Sequence, residues 1–312
     1  MRLHRSRFIA MLAAPALAYA GPVRAQPVKL RLAAVPSDSY AEPYDGLDGG
    51  FFARAGLDVE VTSFGSGGQI TTALAGGAID VGIADPIQVG AGFLHGTGFG
   101  YFAGGMEYTT NAPTTQLCIS KTGPVKSVKD LAGQTIGVFG LNSMPMFATR
   151  EWLSANGVDA DGVKFVELPP SAMLPAIARG TVAAGVVTEP QISGAADLGC
   201  TPFAKVYDYC AKSFYINSWF AKRDWLAKNG ETARKFVQAV YETARWANTH
   251  HAESLPILAK YTKMEPDKLS KMTRAVFDTA LDPKKVQPPL TLAAKYHLLD
   301  RPLNADELIV KL

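Results

Sequence analysis

Two stretches of this chain repeat one pattern in the same register. Residues 74–83 and 177–186 each contain the end of a helical pattern, a glycine turn and a short apolar run, and they align without a gap. An apolar run of this length between turn signals is typical of a buried strand. Because each stretch would be one helix-to-strand unit, the repeat predicts two similar α/β halves with parallel sheets.

The flanking sequence extends both halves to strand-helix-strand-helix-strand. Strands are predicted at 28–35, 57–61, 78–83, 135–138, 163–166 and 182–187, with helices between them at 44–54, 70–75, 145–156 and 169–178. An extended segment is expected at 213–220, and further helices at 231–250 and 267–279. Pro288 and Pro289 are expected to break the helical region before the end of the chain.

The turn Gly65-Ser66-Gly67-Gly68-Gln69 leads from a predicted strand into a predicted helix. The first amides of a helix have no partner within it, and the helix dipole places partial positive charge there. Gly67 and Gly68 would let a ligand approach the backbone, while Ser66 and Gln69 offer side-chain hydrogen bonds. The turn is therefore a candidate site for a small polar molecule, although glycines also make tight connections without any ligand.

Residues 1–25 have the pattern of a cleaved export signal. Arg2, Arg5 and Arg7 precede an apolar run, and small residues follow at 18–20 and 23–25. The run is shorter than the roughly 20 residues that span a bilayer, and no cysteine marks a lipid anchor. Of 31 basic residues, four arginines lie in this leader, which leaves 27 against 28 acidic ones. A nearly neutral mature chain gives no indication of nucleic-acid binding.

The cysteines and histidines do not indicate a metal site. Cys118, Cys200 and Cys210 are scattered, so three buried thiols and a Cys200–Cys210 bridge both remain open. His250 and His251 are adjacent and would diverge on a helix. We therefore expect no metal, no cofactor and no catalytic residues.

Four stretches resemble the extracytoplasmic solute-binding proteins of ABC importers, in the group that serves nitrate, sulfonates, taurine and thiamin-pyrimidine precursors. They lie at 49–59, 73–82, 128–138 and 188–190, in the family's order. One departure is Ala183, where the family often has aspartate. Because Asp80 and its counterpart would brace a turn, we expect this change to affect stability more than ligand binding.

The resemblance implies a two-lobe periplasmic-binding-protein-like α/β fold of type II, with a ligand cleft between the lobes. Lobe one would comprise 28–112 plus 213–312, and lobe two 113–212. The lobes would close on a small solute, and the closed form would dock on a membrane permease. We expect a soluble periplasmic monomer that breaks no bond.

Loops at the carboxyl ends of strands face the cleft in such folds, and the family uses those loops for its ligand. The expected ligand-binding residues are Ser37, Asp38, Tyr40, Ser66, Gly67, Gln69, Asp85, Asn142, Ser143, Glu189, Tyr215 and Asn217. Several of them could instead act only in turns and helix caps, Asp38, Asn142 and Ser143 in particular.

No lysine or arginine occupies these loops, whereas Asp38, Asp85 and Glu189 would converge in the cleft. Desolvated like charges repel an anion, which favours a nitrogen-containing aromatic or amine-like solute. The alternative is an anion such as a sulfonate, taurine or nitrate, held by the helix amides at Ser66 and Ser143.

Two other roles stay open. A thiamin-pyrimidine synthase would resemble the same fold but calls for a cofactor lysine, a reactive histidine and a cysteine-rich segment. We find no clustered cysteines and no histidine at a strand end. A ligand-sensing partner of a membrane receptor would bind its ligand in the same way and differ only in what it docks on.

Overall fold

The computed structural model describes residues 26–141 and 143–312. The predicted export signal at 1–25 and the predicted ligand residue Asn142 lie outside the described residues.

The first five-stranded sheet has the order β2-β1-β3-β12-β4. Its strands are β1 (Val28–Ala34), β2 (Leu57–Ser63), β3 (Val81–Ala84), β4 (Phe99–Ala103) and β12 (Ser218–Lys222). β1 pairs in parallel with both β2 and β3, and β12 runs antiparallel to β3 and β4. β12, which comes more than 100 residues after β4, therefore completes the sheet formed by β1 to β4.

The second five-stranded sheet repeats this topology in the order β8-β7-β9-β6-β10. Its strands are β6 (Thr115–Ser120), β7 (Thr135–Val138), β8 (Lys164–Glu167), β9 (Ala184–Thr188) and β10 (Cys200–Ala204). β7 pairs in parallel with β8 and β9, whereas β6 is antiparallel to β9 and β10. A small third sheet joins β5 (Met106–Thr109) to β11 (Ser213–Tyr215) and β13 (Val276–Phe277).

The strand register confirms the predicted repeat. Leu32 and Ala33 pair with Val81 and Gly82 in the first sheet, and residues 136 and 137 pair with 184 and 185 in the second. Positions 81 and 184 correspond in the aligned repeat. Gly185 is required by packing, since an added Cβ would lie 2.5 Å from Met173 Sδ.

The chain crosses between the two sheets twice, after β5 and before β11. Strands of the second sheet all come from 115–204, and those of the first from 28–103 and 218–222. We keep 28–112 with 213–312, and 113–212, as the proposed extents of lobe one and lobe two.

Helices cover both sheets and extend the core of lobe one. They are α1 (Glu42–Asp48), α2 (Phe51–Arg54), α3 (Gly67–Ala75), α4 (Pro86–Leu94), α5 (Met144–Ala155), α6 (Pro170–Ala178), α7 (Arg223–Lys228), α8 (Gly230–Ala247), α9 (His251–Thr262), α10 (Pro266–Leu269), α11 (Pro283–Lys295) and α12 (Ala305–Leu308). Over residues 26–141 and 143–312, no helix is both long and apolar enough to cross a membrane.

Three predicted helix boundaries were wrong. The helix expected at 44–54 is divided into α1 and α2, because Gly50 adopts a φ of 71°. The helix expected at 267–279 ends with α10, and the chain then becomes extended. Pro288 and Pro289 lie inside α11, where burial of Val286 and Leu290 offsets the missing backbone donors.

Asp80, just before β3, is hydrogen-bonded to Arg31 in the middle of β1. Its carboxylate accepts hydrogen bonds from Arg31 N at 2.9 Å and from the Arg31 guanidinium at 2.7 and 3.1 Å. Partial burial alone would raise the pKa of Asp80, but these bonds lower it. In lobe two, Ala183 and Thr135 occupy the positions of Asp80 and Arg31, as the equivalent backbone hydrogen bond from Ala183 N to Thr135 O shows. Lobe two therefore lacks both the aspartate and the arginine of this pair.

The three cysteines are free thiols, so the Cys200–Cys210 bridge does not form here. Cys118 and Cys200 are buried on the neighbouring strands β6 and β10, and burial raises the pKa of Cys118 to about 12. These thiols act as core packing rather than as reactive groups.

Two carboxyl groups of α1 are fully buried. Glu42 accepts a hydrogen bond from Trp219 Nε1 at 3.0 Å, whereas neither carboxyl oxygen of Asp45 has a partner among the described residues. Burial raises the pKa of Asp45 to about 8, against the lowering effect of Arg274. Asp45 is therefore largely protonated at neutral pH, and ionising it opposes folding.

We predict that Asp45→Asn stabilises the protein more as the pH rises. An acid whose pKa is raised in the folded state does not lower the free energy of unfolding while it is protonated in both the folded and unfolded chains. As the pH rises from the unfolded pKa towards the folded pKa, it lowers that free energy increasingly. The gain in unfolding free energy should increase by up to about 1.4 kcal/mol per pH unit between pH 5 and 8. Urea unfolding at several pH values measures it, with Asp58→Asn on the exposed face of β2 as the matched control. A gain that is the same at every pH would contradict the assignment.

Candidate functional site

The loops at the carboxyl ends of the parallel strands lie where the two lobes meet. In lobe one they follow β1, β2 and β3, and in lobe two they follow β7 and β9. Glu189 after β9 accepts a hydrogen bond at 3.1 Å from Thr273 N, which lies in the segment after α10. A loop of lobe two therefore contacts the part of the chain assigned to lobe one.

The turn at 65–69 uses its polar side chains to cap α3. Ser66 Oγ accepts from Gln69 N at 3.4 Å, and Gln69 Oε1 accepts from Gly65 N at 2.8 Å. The amides of Gly67 and Gly68 have no partner among the described residues, so they stay available to a ligand. The surface here forms a depression of about 560 Å³. Its lining residues are Phe64, Ser66, Gly68, Gln69, Thr72 and Ala73.

Gly67 lies against Tyr40 and Gln88. A Cβ at position 67 would clash with Gln88 Oε1 and would lie 3.2 Å from the Tyr40 hydroxyl oxygen. Gln88 Oε1 is buried without a partner in the described part of the chain. The sequence argument missed Gln88, although its place in the first turn of the helix that starts after Asp85 and Pro86 could have indicated it.

Asp85 is the N-cap residue of α4. Its Oδ1 accepts from Gln88 N at 2.9 Å, and the side chain keeps partial exposure. Burial raises the pKa of Asp85 to about 6, although the amides at the start of α4 lower it. Asp85 can therefore change its charge near neutral pH.

Tyr207 is a second residue that the sequence argument missed. It lies in the helical turn Val206–Tyr209 and is 3% exposed. Burial, followed by the Asp85 charge, raises the pKa of its hydroxyl, and Thr115 is its hydrogen-bonding neighbour. Tyr207 therefore lies buried in the segment that leads from lobe two back to lobe one.

The loop before α5 contributes Ser143 from lobe two. Ser143 Oγ donates a hydrogen bond to Gly140 O, so this hydroxyl holds its own turn. The adjacent Asn142 is outside the described residues. Ser143 N-caps α5, and its ligand role remains a prediction.

Asp38 is buried in a salt bridge rather than aimed at open space. Arg274 Nε donates to Oδ1 at 2.9 Å, and Ala275 N donates to Oδ2 at 2.5 Å. Burial raises the pKa of Asp38, while Arg274 and the Ala275 amide lower it. With its oxygens bonded inside the protein, Asp38 is not among the residues that we propose to contact the solute.

Glu189 is likewise bonded within the protein. Its carboxylate accepts from Ser193 N, Ser193 Oγ and Thr273 N, each at 3.1 Å. Burial raises the pKa of Glu189, and these three donors lower it. Because Thr273 belongs to lobe one, Glu189 fastens the two lobes to each other.

Three other predicted ligand residues make hydrogen bonds within the protein. The Tyr215 hydroxyl is bonded to Asp278, Ala280 O and Asp282 N, and the ring is fully buried. Asn217 accepts from Met106 N and donates to Ser39 O. The side chain of Ser37 makes no cap hydrogen bond, and its carbonyl accepts from Tyr40 N. Tyr215 and Asn217 hold the crossing strands, so we do not retain them for the solute.

Among the described residues, no group of three or more His, Cys, Asp or Glu side chains is arranged to hold a metal ion. In the loops of lobe one, the amides of Gly67 and Gly68 and Gln88 Oε1 have no hydrogen-bonding partner among the described residues, and Asp85 adds a carboxylate that caps α4. Amide donors, an amide oxygen and a carboxylate suit binding of a small polar solute.

We predict that Glu189→Gln lowers the stability of the ligand-free protein by about 1–3 kcal/mol. The amide can no longer accept all three hydrogen bonds, so buried donors lose their partner. Ser193→Ala is the matched control and should cost less, because the carboxylate keeps Thr273 N. Urea unfolding of both variants measures the difference. Unchanged or increased stability in Glu189→Gln would instead indicate a carboxylate that waits for a ligand.

The comparisons with known proteins agree with this architecture. The profile of the family described as NMT1/THI5 like matches residues 40–254. The periplasmic aliphatic sulphonate binding protein SsuA from Escherichia coli is similar in structure, with a TM-score of 0.76, 17% identity, and coverage of 92% of this chain and 94% of that one. The periplasmic nitrate-binding protein NrtA from Synechocystis PCC 6803 matches with a TM-score of 0.70, 16% identity, and coverage of 90% and 84%.

A Candida albicans protein, described as having the generic periplasmic binding protein fold, matches with a TM-score of 0.69, 13% identity, and coverage of 91% and 96%. A search among curated proteins found no match. The structural similarity establishes the periplasmic binding protein fold, and the profile covers more than half of the sequence. The chain therefore belongs to the NMT1/THI5-like family.

Proposed function

We propose that this protein binds a small solute in the periplasm and delivers it to the permease of an ABC importer. Family membership, the two-lobe fold, and the sulfonate- and nitrate-binding functions of its structural neighbours support this role. The export-signal pattern at 1–25 supports the location. Two lobes joined by two crossings can close around a ligand by a hinge motion, and the protein would act as a monomer.

The solute is, in our proposal, a nitrogen-containing aromatic or amine-like compound. The observation that carries this choice is the chemistry of the cleft loops. Residues 35–41, 64–69, 85–88, 139–143 and 188–193 contain no lysine or arginine, whereas they include the Asp85 carboxylate and Gln88 Oε1, which has no partner among the described residues. A solute that donates hydrogen bonds satisfies these groups, and an anion would face the Asp85 charge.

An anionic solute is the second candidate because of the unpaired amides of Gly67 and Gly68. Such amides bind sulfonate or nitrate oxygens without a basic side chain. A synthase is less well supported. Cys118, Cys200 and Cys210 are free thiols that form no cysteine-rich segment, and no histidine lies in the cleft loops.

We predict that only one of the two solute classes raises the melting temperature of the mature chain. A ligand that binds the folded state alone adds about 2.7 kcal/mol of stability at 100 times its Kd. The screen should contain thiamin-pyrimidine precursors, aromatic amines, taurine, alkanesulfonates and nitrate. A shift with nitrogenous compounds supports the proposal. If only sulfonates or nitrate raise the melting temperature, the solute is an anion that the amides at the start of α3 bind. If no compound raises the melting temperature, the binding role is contradicted.

A further inference from the structure

Besides the segment that follows α10, the helices α5 and α11 also bring the two lobes into contact. Glu151 of α5 accepts hydrogen bonds from Lys295 Nζ at 2.5 and 2.8 Å and from the Tyr296 hydroxyl at 3.1 Å. The ring of Tyr296 packs on that of Phe147, with the two centroids 5.0 Å apart. One carboxylate and one aromatic ring of lobe two thus hold the end of α11.

This contact lies at the far end of a helix that starts beside a crossing. Asp282 N, just before α11, donates to the hydroxyl of Tyr215 in β11, the strand that follows the second crossing. The 13 residues of α11 span about 20 Å, and Lys295 is the last of them. A rotation of the lobes by about 10° at the crossings would move Lys295 by about 3 Å relative to α5. Such a displacement breaks its hydrogen bonds to Glu151.

The other contact between the lobes, from Thr273 N to Glu189, lies beside the crossings. Thr273 comes shortly before β13, which pairs with β5, the strand before the first crossing. Glu189 N donates to Thr114 O, where that crossing enters lobe two. Displacement in a rotation grows with distance from the axis, so this contact moves less than the end of α11. Glu189 can therefore join the lobes in both arrangements, whereas Glu151 reaches Lys295 in only one.

Beside the ion pair, α11 borders a cavity of about 460 Å³ between the lobes. Glu151, Tyr209 and Cys210 line this cavity from lobe two, and Pro288 and Leu292 are among its lining residues from lobe one. Side chains that face an open cavity do not pack against the opposite lobe, so separating the lobes here loses few packing contacts. The contact at the end of α11 can therefore be broken and formed again.

We propose that Glu151, with its partners Lys295 and Tyr296, forms a latch that holds the lobes in the present arrangement when no solute is bound. This inference rests on the proposed function, because it needs lobes that move about the crossings. The Lys295 side chain is 56% exposed and that of Glu151 22%, so salt weakens the pair. A pair of this exposure changes the ratio of two arrangements by up to about fivefold. Both arrangements then stay populated, and a solute can shift the ratio between them.

Small-angle X-ray scattering of the mature, solute-free chain tests the latch, because opening about the crossings raises the radius of gyration. In about 20 mM salt, we expect the wild type to scatter as this structure does. Glu151→Lys brings two ammonium groups together and should raise the radius of gyration. Adding Lys295→Glu to that variant should lower it again, since an ion pair is restored. In about 1 M salt the radius of gyration should rise for the wild type but not for Glu151→Gln.

Glu242→Gln is the matched control, because it removes an exposed ion pair with Arg54 inside lobe one. It should leave the radius of gyration unchanged at both salt concentrations. The same radius in the wild type, Glu151→Gln and Glu151→Lys would overturn the latch, and so would a failure of Lys295→Glu to rescue Glu151→Lys. If Glu151→Lys does not fold, the salt dependence of the wild type against Glu151→Gln still decides. The screen of solutes by melting temperature tests the binding role separately, so a solute that binds without any change in scattering contradicts the latch alone.

Discussion

The relation between the two lobes depends on one extended segment, 271–275, that binds carboxylates from both. Ala275 N donates to Asp38 of lobe one, and Thr273 N donates to Glu189 of lobe two. Two amides two residues apart thus tie together the strand ends of both sheets. Ser193 Oγ adds a hydrogen bond to Lys271 O. Because a buried, charged carboxylate is costly without hydrogen-bond donors, these two amides stabilise Asp38 and Glu189 where the lobes meet.

This arrangement divides the acidic residues of the cleft into two kinds. Asp38 and Glu189 are bonded within the protein, so their charges organise the fold. Asp85 caps α4 through Gln88 N, and we propose that its charge is available to a solute. The sequence argument expected all three to converge on the ligand. Because Asp38 and Glu189 are bonded within the protein, Asp85 is the acid that stays in our proposal, with Gln88 next to it.

The repeat, the parallel sheets and most element positions could be predicted because they depend on local patterns. Alternation of apolar residues, glycine turns and the aligned stretches at 74–83 and 177–186 are visible in the chain itself. The failures have long-range causes. The segment after α10 is extended because its amides bind Asp38 and Glu189, which lie 237 and 84 residues away from their partners in sequence. Nothing local in 267–279 reveals those partners, and its helical spacing was therefore misleading.

The candidate site was predicted at the level of loops rather than side chains. Strand ends point to the cleft by topology alone, but whether a polar side chain faces a ligand depends on which donors surround it. Tyr215 and Asn217 illustrate this point. Both lie at the crossing between the lobes, but their polar atoms are hydrogen-bonded to other parts of the protein.

The acidic residue that follows the third strand makes different contacts in the two halves. An acidic residue and a proline follow the third strand in each half, as Asp85-Pro86 and Glu189-Pro190. The short Asp85 side chain accepts from the amide three residues later, whereas the longer Glu189 reaches the amide four residues later and the opposite lobe as well. The acid of the first half thus caps α4, whereas the acid of the second half, which is followed by turns rather than by a helix, joins the lobes. The same position in the two halves therefore meets different donors, because the chain that follows it folds differently.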